Sequence, residues 1–429
     1  MRFRLALLIY RLLLPLLFLA AFPGWLRRML QRGGLGTGLP ERLGLYREPP
    51  EFEPCGAVHL HAISVGEAML AAKLARAWLA AEPSRRFVLA TGTATGHAVA
   101  TRAAIPGLRV TYAPLDFPGM VHRYLERFEP AQIVLVEGEA WPHLLRACRR
   151  RGIPVSLVNA RLSPRSAARF ARCAAWVRPV FGLLDALAAQ DPADVPVWEN
   201  LGVAPERIHV IGSLKIDPGS GPAPVRRPEF AAMLAAFGPA RPVVLAASTH
   251  AGEEPWIAEA IRTAAPDALP VIVPRHAERR APLAEDLARA GFEVVLRTAF
   301  RPPAEPARAC LVIDTTGELR DWTAHADAVV IGKSFHAIGG QNPCEAIMAA
   351  KPVICGPHME NFEPLATQLT AAAAILRPAS REDLVAAIRR ALDPAHAAAQ
   401  AARASAVLHR HHGATDRMVT LLAARTASP

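Results

Sequence analysis

Short apolar runs alternate with amphipathic segments along most of this chain, in two consecutive series. The first series has apolar runs at 58–63, 86–90, 132–136, 155–158, 186–190 and 209–211. The second series has them at 243–247, 271–273, 294–296, 311–313, 328–331, 353–354 and 374–376. Runs of this length, separated by helical patterns, are typical of βαβ units, which form parallel sheets. The sequence therefore predicts an α/β protein with two doubly wound domains that face each other across a cleft.

The sequence GSGPAPVRRP at 219–228 separates the two series and has the composition of a linker. A length of 429 residues suits two domains of moderate size, and a hydrophobic content of 52% provides a core for each. We expect an apolar segment at 1–30, a Rossmann-like domain at 50–218, a linker at 219–240 and a second Rossmann-like domain at 241–429. The last helix is assigned to the second domain, with packing back on the first domain as the alternative.

The N-terminal segment 5–22, LALLIYRLLLPLLFLAAF, is just long enough to cross a bilayer, although Arg11 and Pro15 interrupt it. It is compatible with a membrane anchor, an interfacial helix, a signal peptide or a buried core helix. Its small-residue pair is a poor cleavage site before Phe22-Pro23. More arginines follow the segment than precede it, so the positive-inside rule keeps the rest of the chain in the cytoplasm. We expect an anchor in or on the cytoplasmic face of a membrane, and the sequence leaves open whether it spans.

The charge is strongly basic, with a net charge of +11 and a pI near 10.0. Such a pI raises nucleic acid as a partner, but the sequence has no basic run interleaved with aromatic residues and no helix-turn-helix or zinc-finger spacing. An anionic membrane surface or an anionic substrate fits better. The six cysteines form no CxxC pair, which disfavours metal clusters and disulfides and predicts buried thiols at positions 55, 148, 173, 310, 344 and 355.

The motif Ser64-Val65-Gly66-Glu67 closes the first strand and opens the first helix of the first series. Ser-x-x-Glu is the pattern of a capping box, which is the structural alternative for this motif. A cap does not require Gly66, however, and a helix N-terminus favours the negative charge of a carboxylate. Glu67 is therefore a candidate general base.

Two further motifs follow strands of the first series. The stretch 136–139 places Glu137 and Glu139 where a buried strand ends. Charges so close to a buried strand have a partner or a functional role. The structural alternative is that both are acids at a helix start, where the helix dipole favours negative charge. The loop 91–96, TGTATG, offers hydroxyls and backbone N–H groups to an anion, although such a loop alone is weakly specific.

The second series carries motifs suited to a nucleotide. The stretch 339–345, GGQNPCE, combines glycines that allow close backbone approach with Asn342 as a helix cap and Pro343 at the first helical position. Free N–H groups at such a helix start attract phosphate, and Glu345 is placed to accept hydrogen bonds from a ribose. Other strand ends contribute further candidates. Ser248 and Thr249 offer hydroxyls that cap a helix or bind phosphate, and Arg275 and His276 offer cationic donors. Gly317-Glu318-Leu319 forms a further loop after a strand.

Three classes of protein are disfavoured by missing motifs. The sequence contains no GxxxxGK[ST], no GxGxxG after the first strand and no GxSxG. These absences count against a P-loop NTPase, a dinucleotide-binding domain and a hydrolase with a nucleophile elbow.

Nine motifs, taken in order, resemble those of the 3-deoxy-D-manno-octulosonic acid (Kdo) transferases of lipopolysaccharide assembly. They are HAISVGE (61–67), TGTATG (91–96), VEGEAWP (136–142), RGIPVSLVNARLSPRS (151–166), GSLKID (212–217), AASTHAGEE (246–254), VPRH (273–276), TGEL (316–319) and GGQNPCEA (339–346). Each motif alone is weakly specific, but the ordered set is specific. The resemblance covers the chain from the N-terminal segment to about residue 380.

The resemblance implies a GT-B fold and an inverting, metal-independent glycosyltransferase without a cofactor. Its partners would be CMP-Kdo as donor, the lipid A precursor as acceptor and the anionic leaflet at the cytoplasmic face of the inner membrane, with no nucleic acid. Glu67 would be the general base, and the acceptor side would be lined by Glu137, Glu139, Thr93, Thr95 and Gly96. The donor would be held by Ser248, Thr249, Arg275, His276, Gly317, Glu318, Leu319, Gly339, Gly340, Asn342 and Glu345, with Glu345 on the ribose.

Four positions depart from the family pattern. Gly138 stands where threonine is usual, Lys333 where glycine is usual, Gln341 where histidine is common and Ala346 where proline is common. The base and ribose positions are intact, so the departures concern acceptor choice and donor-side detail. The alternatives are a GT-B enzyme of envelope synthesis that uses a UDP-sugar and a non-catalytic, membrane-associated nucleotide-binding protein. The motifs do not fix the number of Kdo residues added or the oligomeric state.

Overall fold

A computed structural model describes residues 2–32, 38–46, 56–217, 224–238, 240–363 and 365–426. The chain divides into two compact units, Met1–Gly219 with Gly413–Pro429, and Ser220–His412. Each unit is built around one parallel sheet with helices between its strands. The predicted α/β class, with two doubly wound domains and an N-terminal apolar helix, is therefore confirmed.

The described residues of the first unit form a seven-stranded parallel sheet. Its strands are β1 (Val58–Ala62), β2 (Phe87–Thr91), β3 (Leu108–Tyr112), β4 (Gln132–Val136), β5 (Val155–Ala160), β6 (Ala186–Ala189) and β7 (Ile208–Val210). Their order is β3-β2-β1-β4-β5-β6-β7, and His61 of β1 pairs with Ala90 of β2 and Leu135 of β4. Strands β1, β2, β4, β5 and β6 are buried along their whole length, because helices cover both faces of the sheet.

The helices of the first unit are α1 (Arg2–Arg32), α2 (Gly38–Arg42), α3 (Val65–Ala81), α4 (Ala94–Arg102), α5 (Pro118–Phe128), α6 (Pro142–Arg151), α7 (Pro164–Arg172), α8 (Ala174–Phe181) and α9 (Val195–Asn200), together with the last helix of the chain, which is numbered α18 (Ala414–Ala423). Helices α3 and α18 share one core with β1, while α5 and α6 pack in a second core with β4 and β5. The Asp217 carboxylate accepts the N–H groups of Gly413 and Thr415 at 3.1 and 2.8 Å, which fixes the start of α18 in this unit.

The second unit has a six-stranded parallel sheet among its described residues. Its strands are β8 (Val243–Thr249), β9 (Leu269–Pro274), β10 (Glu293–Leu296), β11 (Ala309–Val312), β12 (Ala328–Ile331) and β13 (Val353–Cys355), in the order β10-β11-β9-β8-β12-β13. The helices are α10 (Pro228–Ala235), α11 (Glu254–Ala264), α12 (Arg280–Arg289), α13 (Leu319–His325), α14 (Cys344–Met348), α15 (Leu365–Ala371), α16 (Arg381–Leu392) and α17 (Pro394–His409). The stretch expected as a linker thus includes α10, whose Phe230 stacks on Trp322 of α13 at 4.0 Å.

Two strand assignments differ from the sequence-based expectation. Strand β3 was not predicted, because LRVTY alternates apolar and polar residues and its first three positions are only half-buried at the edge of the sheet. The strand predicted at 374–376 is wrong, since Leu376 forms only an isolated bridge with Ile354.

Helix α1 runs without a break through Arg11 and Pro15, which were expected to interrupt it, and also through Pro23. Its segment Leu7–Arg27 has a mean hydropathy of 1.9 and is long and apolar enough to cross a membrane. Only 6% of that segment is buried, which excludes the alternative of a core helix.

The predicted burial of the cysteines holds for most of those described. Cys148, Cys310, Cys344 and Cys355 are buried, but Cys173 is exposed. Cys55 lies outside the described residues.

Candidate active site

The order of each sheet reverses between two neighbouring strands. The reversal lies between β1 and β4 in the first unit and between β8 and β12 in the second. Loops leaving the carboxyl ends of such a pair diverge, and ligands of doubly wound sheets bind in the crevice between them. Glu67 and Glu137 follow β1 and β4, while His250 and Lys333 follow β8 and β12. The motifs that carry Glu67, Glu137 and His250 therefore lie at the positions where this architecture places ligands, while other motifs follow neighbouring strands.

Glu67 is fixed at the first turn of α3 by hydrogen bonds to the backbone. Ser64 Oγ accepts the N–H of Glu67 at 3.2 Å, as a cap does. The Glu67 carboxylate accepts the N–H of Ile63 at 2.8 Å, whereas the reciprocal bond of a capping box would come from Ser64. The residue is 8% exposed. One oxygen of Glu67 is therefore held by the backbone, and the other has no hydrogen-bond partner among the described residues.

Glu137 and Glu139 form one electrostatic cluster with Glu67. Burial raises the pKa of Glu139 to about 7, and the charges of Glu67 and then Glu137 add to this effect. Burial and the Glu67 charge also raise the pKa of Glu137. Neighbouring carboxylates disfavour each other's ionisation, so the cluster can hold a proton near neutral pH. The structure thus brings together three carboxylates that the sequence placed at two separate strand ends.

Lys215 and Arg161 supply positive charge to this cluster, although neither was predicted from the sequence as a site residue. Lys215 and, more weakly, Arg161 lower the pKa of Glu137. Burial lowers the pKa of Lys215, and Glu137 opposes that effect. Arg161 directly follows β5, and Lys215 lies in GSLKID shortly after β7. Their position at strand ends was the signal that could have found them.

Most residues of the loop after β2 make contacts within the first unit. Thr93 caps α4 by accepting the N–H of Gly96 at 3.1 Å. A Cβ on Gly92 would lie 2.6 Å from Ile63 Cγ2, and a Cβ on Gly96 would lie 2.9 Å from Thr93 Oγ1. Thr95 is exposed, and its hydroxyl makes no hydrogen bond within the described chain. Thr93 and Thr95 are thus both exposed, and Thr95 is the one whose hydroxyl has no role in the local fold of the described chain.

In the second unit, cationic groups surround His250. Burial lowers the pKa of His250 most, followed by the charges of Lys333, His276, Arg279 and Arg275. The rings of His250 and His276 have centroids 6.2 Å apart. Arginine and lysine donors gathered in this way suit a phosphate. The sequence predicted Arg275 and His276 here but gave no role to Arg279, and it noted Lys333 only as a departure from the family pattern.

The Glu253 carboxylate joins the loops that carry this cationic cluster. Its Oε1 accepts the N–H groups of His250 and Lys333, each at 2.7 Å. Glu253 is 1% exposed, and burial raises its pKa to about 7. This side chain therefore holds the loop after β8 against the loop after β12.

The hydroxyl of Thr249 is directed to a neighbouring carboxylate. It donates to Glu254 at 3.4 Å, and Glu254 also pairs with Arg279 at 3.0 Å. Thr249 is fully buried, whereas Ser248 is half-buried. The Thr249 hydroxyl is thus engaged within the fold and Ser248 carries the more accessible one, while the donor contact expected of Thr249 stays a prediction.

The TGEL motif shapes the start of α13. The carboxylate of Glu318 accepts the Thr315 hydroxyl at 2.6 Å and the Trp322 indole N–H at 3.3 Å. Gly317 has a φ of 88°, with open space where a Cβ would lie, and Leu319 is the first residue of α13. One oxygen of Glu318 is therefore held at the start of α13, and the exposed residues of this motif are Thr316 and Gly317.

The glycine pair before α14 is required by its close packing. Gly339 and Gly340 have φ values of 125° and 67°, and a Cβ on Gly340 would lie 2.5 Å from Met359 Sδ. Asn342, expected as the helix cap, accepts the N–H of Cys344 at 3.0 Å but lies one residue before the N-cap of α14. Pro343, expected at the first helical position, is instead the N-cap, and α14 begins at Cys344.

Glu345 lies half-buried in the first turn of α14. Its Oε2 is buried and has no hydrogen-bond partner among the described residues. Burial raises the pKa of Glu345, and the charge of Arg320 opposes this. An unpaired buried acceptor costs about 1–3 kcal/mol, so a ligand hydroxyl that donated to Glu345 would remove that cost.

Several of these residues have strained backbones. Glu137, Ser248 and Lys333 have positive φ values of 66°, 56° and 54°. Each lies at or just after the carboxyl end of a strand beside a sheet reversal. Non-glycine residues in this region persist where the surroundings impose it, often at binding sites. The position of Lys333 also explains why glycine suits this site in the family pattern.

A family model and curated relatives point to one family. A family model described as 3-deoxy-D-manno-octulosonic-acid transferase (kdotransferase) matches residues 37–218. A 3-deoxy-D-manno-octulosonic acid transferase from Bordetella pertussis is 36% identical over 424 residues, which are 96% of each chain. One from Haemophilus influenzae is 31% identical over 389 residues, which are 90% of each chain.

Two solved structures share the fold. A glycosyltransferase from Rickettsia africae has 11% identity, covers 87% of this chain and 100% of its own, and has a TM-score of 0.53. Anabaena HepE in complex with UDP has 14% identity, covers 86% and 100%, and has a TM-score of 0.52. The resemblance seen in the motifs is therefore confirmed, and this chain belongs to the 3-deoxy-D-manno-octulosonic acid transferase family, as a glycosyltransferase with a GT-B fold.

Proposed function

We propose that this protein transfers Kdo from CMP-Kdo to the lipid A precursor with inversion at the anomeric carbon, without a metal, at the cytoplasmic face of the inner membrane. The observation that carries the proposal is the setting of Glu67, a nearly buried carboxylate held by the Ile63 N–H at the reversal of the first sheet. Membership of the family supports Kdo as the transferred sugar. The residues gathered in each unit support the binding and catalytic roles given below.

Glu67 is the proposed general base. Its carboxylate would take the proton of the acceptor hydroxyl while that oxygen attacks the anomeric carbon and the bond to the CMP phosphate breaks. A single displacement of this kind inverts the anomeric centre. Glu139, whose pKa is about 7, is suited to receive the proton from the cluster. Glu137 and the exposed Thr95 complete the proposed acceptor side, while Thr93 and Gly96 shape the loop that carries Thr95.

The donor site is proposed in the second unit. Arg275, His276 and Lys333 would offset the negative charge that develops on the phosphate as CMP leaves. Glu345 Oε2, which lacks a partner in the described structure, would accept a ribose hydroxyl. Ser248 and the backbone at 317–319 and 339–342 would complete the seat. Positioned cations and backbone N–H groups provide the charge stabilisation for which other transferases use a metal.

The membrane partner follows from α1 and from the basic charge. The acceptor is a phosphorylated glycolipid in an anionic leaflet, and a chain with a net charge of +11 is attracted to such a surface. Helix α1 supplies the apolar attachment.

The test is transfer by the full-length protein in detergent, with CMP-Kdo generated in place and a lipid A precursor as acceptor. Product mass gives the sugar count, and nuclear magnetic resonance gives the anomeric configuration. Glu67→Gln should lower the rate by about 10²–10⁴-fold, the range of general base catalysis, and leave CMP binding unchanged. Glu82→Gln, at the other end of α3, is the matched control and should retain the wild-type rate. Full activity of Glu67→Gln would refute the base assignment.

The donor site is tested separately by calorimetric titration with CMP. Arg275→Ala should weaken binding, with a smaller salt dependence, whereas the exposed Arg301→Ala should bind like the wild type. Use of a UDP-sugar in preference to CMP-Kdo would overturn the donor assignment. Binding of CMP with no transfer to any acceptor would instead favour a non-catalytic nucleotide-binding protein.

A further inference from the structure

Helix α1 has one face attached to the first unit and one open face. On the attached face Leu7 is 3% exposed, the Phe18 ring lies 5.8 Å from the Phe117 ring, and the Arg42 guanidinium lies 6.0 Å from the centre of the Trp25 ring. The open face carries leucines that are more than half exposed, at Leu8, Leu12, Leu16, Leu17, Leu19 and Leu30. An exposed apolar surface of this extent is suited to a lipid phase. The helix therefore presents an apolar face suited to lipid on the side opposite its contacts with the first unit.

Behind α1, a cavity of about 240 Å³ opens at the carboxyl edge of the first sheet. We call it the Trp25 pocket, and its apolar wall includes Trp25, Ile63, Ala113, Leu115, Trp141 and Leu144. At about 30 Å³ for a group the size of water, it has room for about eight such groups. A narrow pocket with an apolar wall favours a hydrocarbon chain over a sugar.

The polar groups of the wall add little charge to the pocket. The Asp116 carboxylate accepts the N–H of His143 at 3.0 Å and that of the next residue at 2.9 Å. Arg42 donates to the Gly92 carbonyl at 2.6 Å and lies over the Tyr112 ring at 4.3 Å. Their negative and positive charges are therefore already engaged within the fold.

Two buried nitrogen atoms in this wall have no hydrogen-bond partner in the described part of the chain, Arg42 Nε and His61 Nε2. His61 is 3% exposed, and burial lowers its pKa to about 4, so its ring is neutral at neutral pH. Unpaired buried groups of this kind are rare in folded proteins. Because both nitrogens are shielded from solvent, the wall that faces a ligand is mainly apolar, which suits a hydrocarbon chain.

The pocket is connected directly to the proposed base. Ile63 lines the pocket, and its backbone N–H holds the Glu67 carboxylate at 2.8 Å. A chain bound in the pocket would therefore contact the residue whose backbone N–H fixes Glu67.

We propose that the Trp25 pocket binds one acyl chain of the lipid acceptor and thereby places the acceptor's sugar beside Glu67. The chain enters from the side on which α1 meets the lipid. This proposal rests on the proposed function, because it assumes that the acceptor is an acylated glycolipid.

The first test compares an acylated acceptor with the same phosphorylated disaccharide after removal of its acyl chains. Ala113→Phe fills the pocket, and Ala80→Phe on the exposed face of α3 is the matched control. Ala113→Phe should raise KM for the acylated acceptor about tenfold, which corresponds to about two methylenes no longer buried, and leave KM for the acyl-free acceptor unchanged. Equal effects on both acceptors, or none on either, would overturn the proposal. Leu115→Trp fills the same pocket from another position and replaces Ala113→Phe should that variant fail to fold, as judged by circular dichroism.

The second test measures binding without transfer. The probe is 8-bromooctanoate, whose bromine quenches tryptophan fluorescence on contact. The wild type should show saturable quenching that decreases in Trp141→Phe, is lost in Ala113→Phe and persists in Ala80→Phe. Quenching that does not saturate, or that survives in Ala113→Phe, would refute the pocket as a chain site. A wild type that transfers to neither acceptor contradicts the proposed function, and the quenching result then decides the pocket independently.

Discussion

Glu253→Gln removes a titrating group from the second unit while keeping the oxygen that joins its two loops. Glu253 is 1% exposed, and burial raises its pKa from the ordinary value of 4.5 to about 7. The folded state therefore binds this proton more tightly than the unfolded chain does. By linkage, the free energy of unfolding falls as the pH rises from 4.5 to 7 and is constant above that window.

The magnitude follows from the size of the shift. One pKa unit corresponds to about 1.4 kcal/mol, so this carboxyl lowers the stability of the wild type by about 3 kcal/mol across the window. Glutamine does not titrate, and its side-chain oxygen can still accept the N–H groups of His250 and Lys333. The difference in stability between the variant and the wild type should therefore grow as the pH rises.

Urea unfolding at about pH 5 and about pH 8 measures this difference, with pulse proteolysis read on peptides of the second unit. The free energy of unfolding falls by about 2–3 kcal/mol per M of urea. The urea midpoint of Glu253→Gln should therefore exceed that of the wild type by about 1 M more at about pH 8 than at about pH 5. Glu285→Gln, an exposed substitution in α12, is the matched control and should follow the wild type. A gap that stays constant between the two pH values would show that the buried carboxyl does not titrate there, which would refute the reasoning.

Three further predictions concern the strand ends and the glycine turn. Glu139→Gln should remove an ionisation near pH 7 from the pH dependence of transfer, because burial raises the pKa of Glu139 to about 7; an unchanged profile would contradict this. Lys333→Gly should stabilise the second unit by about 0.5–1 kcal/mol in urea unfolding, since it relieves a φ of 54°, and a loss of stability would count against it. Gly340→Ala should cost about 2–3 kcal/mol, because its Cβ would lie 2.5 Å from Met359 Sδ at a positive φ. Gly252→Ala, with a φ of 90° and open space, should cost only about 1 kcal/mol in the same assay, and equal costs would argue against the steric part.

The sequence alone predicted the class of fold, the family and most strands. Buried parallel strands appear in a sequence as short apolar runs, and β1 and β12 could be located in this way because both faces of the sheet are covered. Helix starts were also readable, since Ser64 and Asn342 accept backbone N–H groups only a few residues away. The edge strand β3 was missed because one side of it meets no neighbouring strand and its pattern is mixed.

The properties that decide the chemistry depended on the tertiary structure. The pKa of Glu139 is set by burial and by charges that approach only when β1 and β4 lie side by side. The cationic cluster around His250 likewise requires three strand ends to meet, and the engagement of Thr249 by Glu254 required the packed loop. The Trp25 pocket exists only because α1 covers a sheet edge formed by residues far from it in the chain. Motifs, and hydrogen bonds between residues close in sequence, are local and could therefore be predicted from the sequence. Burial, electrostatic coupling and cavities arise between distant segments and appear only in the folded chain.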